Sequence, residues 1–211
     1  MTTFLRRWFG PHHGNGSATR QPITVVSGLP RSGTSLMMKM LEAGGLPVLV
    51  DHERQADVDN PQGYYEFERV KGLETGDTTW LTDAPGKAVK VISALLPHLP
   101  SDYHYHVLFM ERELSEVLAS QRKMLQHRAA ADAPDDQTLK ALLVRHLHDT
   151  RTWLTRQPHL TALYVPYKAL LHDPKAQIQR IANFVNTSRD SALDPAAMHQ
   201  VIDPTLYRNR Q

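Results

Sequence analysis

Apolar positions along this chain alternate between strand-like runs and helix-like spacings. The β-branched run from Ile23 to Val26 predicts a buried parallel strand. After it, Leu36, Met37, Met40 and Leu41 recur at helical spacing, and Gly44-Gly45 ends that helix. Leu46 to Val50 predicts a second short strand, and Glu68 to Leu81 a helix interrupted by Gly72 and Gly76. Gly86 to Ile92 predicts a third strand, whose interspersed lysines suggest an edge or half-exposed position. His106 to Met110 predicts a central strand, followed by a helix carrying Leu114, Val117, Leu118 and Met124. Asp135-Asp136 caps a long helix with Leu139, Leu142, Leu143, Leu147, Trp153 and Leu154, closed by Gln157-Pro158. Leu160 to Val165 is a further strand, and Ile178, Ile181, Ala182, Phe184 and Val185 form the apolar face of a last helix.

The junction between the first strand and the first helix carries the most chemistry. Gly28 and Gly33 let the backbone turn sharply, so the amides of residues 31 to 35 can converge on an anion at a helix N-terminus. The spacing of the glycines matches the Walker A pattern G-x-x-x-x-G-K-S/T, but Thr34 stands where the lysine belongs and the cation is Arg31, inside the loop. Loss of that lysine argues against a nucleoside triphosphate. Arg31 with the hydroxyls of Thr34 and Ser35 suits one anionic group held without a metal. The plainer alternative is a glycine turn capping a core helix with no ligand.

A second cation, Arg112, lies at the carboxyl end of the central strand, where α/β folds bind ligands, and Ser120 follows two helical turns later. Its planar fork suits a phosphate. It could equally pair with Glu111, Glu113 or Glu116. Asp51 to Glu66 is a charged, turn-rich segment, readable as a site for catalytic groups or as solvated surface.

Pro30-Arg31-Ser32-Gly33-Thr34-Ser35 resembles the loop with which sulfotransferases bind the 5′-phosphosulfate of 3′-phosphoadenosine 5′-phosphosulfate (PAPS). In that family an arginine and serine spaced like Arg112 and Ser120 hold the 3′-phosphate. A strand followed by a tyrosine-bearing unit like Val165 to Pro174 also recurs there, with Tyr167 bordering the adenine or serving as a core aromatic. The resemblance runs from Ile23 to the C-terminus and looks most like bacterial sulfotransferase-domain proteins related to the tyrosylprotein branch. It implies a three-layer α/β domain with a mainly parallel sheet of four or five strands. Its implied activity is metal-free sulfuryl transfer from PAPS to a hydroxyl or amine acceptor, leaving 3′-phosphoadenosine 5′-phosphate (PAP).

The resemblance also supplies candidates for catalysis. Lys90 matches a lysine that touches the transferring group, but Ile92 occupies the position of the histidine base of cytosolic sulfotransferases. The base is then expected near Asp51, which falls where tyrosylprotein enzymes have an acidic pair followed by an arginine. Glu53 and His52 stand beside it, and Glu66 and Asp59 are outside candidates. Arg208 or Arg210 could close over the 3′-phosphate, or belong to a solvated tail. Two rival readings are an atypical P-loop kinase and a non-catalytic nucleotide-binding or interaction protein, the latter motivated by Ile92.

Composition narrows the field further. At 211 residues the chain suits one domain, 22–211, behind a polar, flexible leader over 1–21 with one aromatic cluster. A weak interfacial anchor is the alternative for that leader. Formal charge is only +2 and no charged block is long, which argues against a nucleic-acid partner. Cysteine is absent, which removes disulfides and thiolate chemistry and fits a cytoplasmic setting. The 12 histidines are scattered without ligand spacing, and no apolar run reaches the ~20 residues of a membrane helix.

Overall fold

The structure is a computed structural model that describes residues 21–51, 53, 57, 63–127, 135–187, 189 and 191–203, with the backbone alone for 124–127. Five strands form one all-parallel sheet: β1 (Ile23–Gly28), β2 (Val48–Leu49), β3 (Ala88–Lys90), β4 (Tyr105–Glu111) and β5 (Leu160–Pro166), in the order β2-β3-β1-β4-β5. Val25 lies opposite Val89 on one side and Val107 on the other, and Gly28 opposite Met110. All six residues of β1 are buried, as a central parallel strand covered on both faces requires.

One face of the sheet is covered by α1 (Thr34–Ala43), α4 (Tyr167–His172), α5 (Pro174–Asn186) and α6 (Pro195–Gln200). Met37, Met40 and Leu41 of α1 are fully buried there, each worth about 1.5–3 kcal/mol by removal from water. The opposite face is covered by α3 (Asp136–Leu154), through Leu147, Trp153 and Leu154, and by short 3-10 helices at Glu68–Thr75, Thr79–Asp83 and Ser93–His98. α2 (Leu114–His127) follows β4. Asp135 caps α3 by accepting from the amides of Gln137 and Thr138.

Three expectations need correction. β3 is interior rather than an edge strand, because β2 pairs outside it, Val48 opposite Ala88. Residues 68 to 81 form no α-helix: Gly76, at φ 85°, closes one 3-10 helix and the Asp77 carboxylate, accepting from the Thr79 amide, starts the next. The second strand shrinks to two residues, since the Leu46 amide still bonds to Leu41 at the end of α1.

The strand order sets the position of the site. From β1 the chain leads out toward β2, whereas from β4 it leads the other way to β5. The loops after β1 and β4 therefore diverge, opening a crevice at the carboxyl ends where such sheets bind ligands.

Candidate functional site

The loop after β1 is built for close backbone approach. A Cβ on Gly28 would lie 2.6 Å from both the Met110 carbonyl oxygen and Ser32 Oγ, and one on Gly33 would lie 2.5 Å from the Tyr167 ring. Between them Arg31 adopts a left-handed φ of 72°, a conformation that costs a non-glycine residue about 1–3 kcal/mol and gathers at ligand sites. α1 then begins at Thr34, and its N-cap, Gly33, has no side chain with which to cap the first-turn amides. Ser32 Oγ is buried and has no hydrogen-bond partner among the described residues. Uncapped amides, an orphaned buried hydroxyl and the positive end of a helix fit a phosphosulfate or phosphate group. Pro30 is exposed at the rim, and Thr34 is buried.

Arg31, Arg112 and Ser120 meet beside this loop. Arg31 Nε donates to Ser120 Oγ at 2.9 Å, and Arg112 Nη1 donates to the Arg31 carbonyl oxygen at 3.1 Å. The Arg112 guanidinium lies over the Tyr167 ring, 4.7 Å from its centroid, and its Nε pairs with Glu116 at 2.8 Å. Arg112 thus makes the helix-start ion pair and also braces the loop. Burial raises the Tyr167 hydroxyl above its usual range, against the opposing pull of Arg112.

A second cluster lies at the end of β3. Lys90 Nζ and Ser35 Oγ both donate to the Tyr64 carbonyl oxygen, the latter at 3.0 Å. Glu66 Oε1 stands 3.7 Å from Lys90 Nζ. Tyr65, at a left-handed φ of 52°, turns this strap, and its hydroxyl donates to Glu42 at 2.6 Å. Ile92 is partly exposed just beyond Lys90.

Asp51 is engaged by the backbone. Its Oδ1 accepts the Glu53 amide at 3.1 Å and its Oδ2 the Glu68 amide at 2.5 Å, so the carboxylate closes the 51–68 loop. Glu53 is exposed. His52, Asp59, Arg208 and Arg210 lie outside the described residues. The Tyr64 carbonyl was not foreseeable, because a main-chain acceptor leaves no mark in a sequence.

Residues 21–205 match the model of the sulfotransferase domain. The chain belongs to the sulfotransferase domain family. Among curated relatives it is 27% identical over 180 residues to sulfotransferase 1A1 of Canis lupus familiaris, covering 78% of this chain and 59% of that protein. The chain therefore spans under two thirds of that relative's length. Among solved structures, a sulfotransferase domain from the curacin biosynthetic pathway superposes with a TM-score of 0.51 at 15% identity, covering 87% of this chain and 78% of the other. A sulfotransferase domain from the Synechococcus PCC 7002 olefin synthase gives a TM-score of 0.48 at 17% identity, covering 97% and 87%. Among the described residues no helix is long and apolar enough to cross a membrane, and no His, Asp or Glu cluster could hold a metal ion.

Proposed function

We propose that this domain, residues 22–211, transfers a sulfuryl group from PAPS to a hydroxyl or amine acceptor. The observation that carries this reading is the meeting of Arg31 with Ser120 and Arg112, from positions 89 and 81 residues away, at the mouth of an uncapped glycine loop. One anion cradle beside a second cationic site suits a nucleotide bearing phosphates at both ends of its ribose better than a linear triphosphate.

PAPS supplies an activated sulfuryl group on a phosphate leaving group; the protein supplies position and charge. The loop amides, Ser32, Thr34 and Ser35 hold the 5′ end. Arg112 and Ser120 take the 3′-phosphate, and Arg31, tied to Ser120, spans the two ends. Lys90 stabilises charge developing where the sulfuryl group leaves, as fixed cations in a sheltered site do. Tyr167 borders the base. The Pro30–Ser35 loop, together with Ile92 in place of a strand histidine, supports kinship with the tyrosylprotein branch.

Calorimetry with PAP, in metal-free buffer with ATP as competitor, tests the reading. Selective PAP binding that is lost in Arg112→Ala is the expected result. Preference for ATP overturns it in favour of a P-loop kinase. PAP binding with no transfer to any acceptor leaves a nucleotide-binding protein without catalysis.

A further inference from the structure

The structure separates the acidic groups of the 51–68 segment, and we propose that Glu66, rather than Asp51, takes the acceptor's proton; this rests on the sulfotransferase reading above. Asp51 presents both carboxylate oxygens to backbone amides, Glu53 and Glu68. Both of its oxygens are thereby committed to holding the loop. Glu66 stands instead against Lys90, the cation at the carboxyl end of β3.

Exposure sets the order of the groups. The Lys90 side chain is 9% exposed and the Glu66 side chain 27%. Lys90 is the inner member, sharing the Tyr64 carbonyl with Ser35 of the anion loop, and Glu66 is the outer one. The carboxylate is therefore the more solvent-accessible member of the pair. Ile92, two residues beyond Lys90, has no atom that can accept a proton.

The backbone fixes Glu66 from both sides. Its carbonyl oxygen accepts the Asp51 amide at 3.3 Å, and the Glu68 amide binds the Asp51 carboxylate. Asp51 is thus a positioning residue for Glu66. In the transfer step the acceptor's O–H or N–H proton passes to the Glu66 carboxylate as the acceptor atom bonds to sulfur. The bond from sulfur to the phosphate oxygen breaks, and its electron pair stays on that oxygen, which leaves in PAP.

The test compares the wild-type chain with Glu66→Gln and Asp51→Asn. PAP binding is measured by calorimetry, and transfer of radiolabelled sulfate from PAPS is followed with phenol, ethanol and water as acceptors across pH. Glu66→Gln is expected to bind PAP as well as or better than wild type, to lose ~10²–10⁴ in transfer rate, and to lose the fall in rate at acidic pH. Asp51→Asn keeps that acidic fall with a smaller loss of rate. Undiminished transfer by Glu66→Gln overturns the assignment while leaving the sulfotransferase reading intact. Absence of PAP binding, or of any transfer, by wild type overturns that reading and Glu66 with it.

Discussion

Arg31 and Ser120, 89 residues apart, are joined by a 2.9 Å hydrogen bond from the guanidinium Nε to the serine hydroxyl. The loop cation therefore leans toward α2 rather than standing free over the loop. On the proposed reading, Ser120→Ala is expected to do two things at once: remove a ligand of the 3′-phosphate and break the hydrogen bond made by Arg31 Nε. A hydrogen bond to a charged group is worth about 1.5–3 kcal/mol, so PAP affinity should fall roughly 10- to 100-fold. Calorimetry on a variant with unchanged melting temperature checks this.

Arg112 makes three contacts that a lysine cannot reproduce together: the Arg31 carbonyl, Glu116, and the face of Tyr167. Arg112→Lys is expected to lose most PAP affinity, because the ammonium lacks the planar fork. Arg112→Ala should also be destabilising. Its side chain and that of Glu116 are 10% and 8% exposed, and removing one partner of a buried ion pair costs about 3–5 kcal/mol. Adding Glu116→Gln to Arg112→Ala should restore much of that stability without restoring binding. Urea melts and PAP titrations of the three variants separate the two effects.

Gly33 and Gly45 offer a controlled comparison. Both have positive φ, 104° and 91°. A Cβ at Gly45 meets nothing within 4 Å, whereas one at Gly33 strikes the Tyr167 ring at 2.5 Å. Gly45→Ala should cost only backbone strain, about 1 kcal/mol. Gly33→Ala adds overpacking of about 1–3 kcal/mol and pushes Tyr167 off the Arg112 guanidinium. Thermal denaturation of both variants, with PAP binding of the second, tests this.

Much of the frame was legible because it rests on local chemistry. Asp135 and the Asp173-Pro174 pair announce the starts of α3 and α5, and both aspartates accept from helix amides. Asp194-Pro195 carries the same signature for α6, yet that helix is six residues long with Met198 its buried residue, too short for a periodic pattern. Lys90 misled about β3: its side chain lies along the strand end and reaches Tyr64, so a lysine in the pattern did not mean an exposed edge. At the site, the loop glycines and the spacing of Arg112 to Ser120 were readable as separate motifs. Their meeting depends on β1 and β4 being neighbours. The position of Glu66 beside Lys90 depends on a left-handed turn at Tyr65 and a loop closed by Asp51, neither of which residue spacing encodes.

Acid should destabilise the fold through two histidines. His106 on β4 packs against Phe184, with ring centroids 5.0 Å apart, and burial lowers its affinity for a proton. His159, against Tyr105, is lowered by burial and by the charge of His104, and its buried Nε2 has no hydrogen-bond partner among the described residues. In the unfolded chain both take up a proton near pH 6.5. The unfolded state then binds more protons than the folded state, so stability rises with pH through this range. The contribution is complete above about pH 6.5 and is lost as pH falls below it, with a slope of at most about 1.4 kcal/mol per pH unit for each group. His106→Phe and His159→Phe keep a ring in place and remove the titration. Urea denaturation between pH 7.5 and 5.5 should show a smaller loss of stability in each variant than in wild type, and the smallest loss in the double variant. An undiminished acid loss in the double variant would assign it to other titratable groups, among them the remaining histidines of the 12 in the chain.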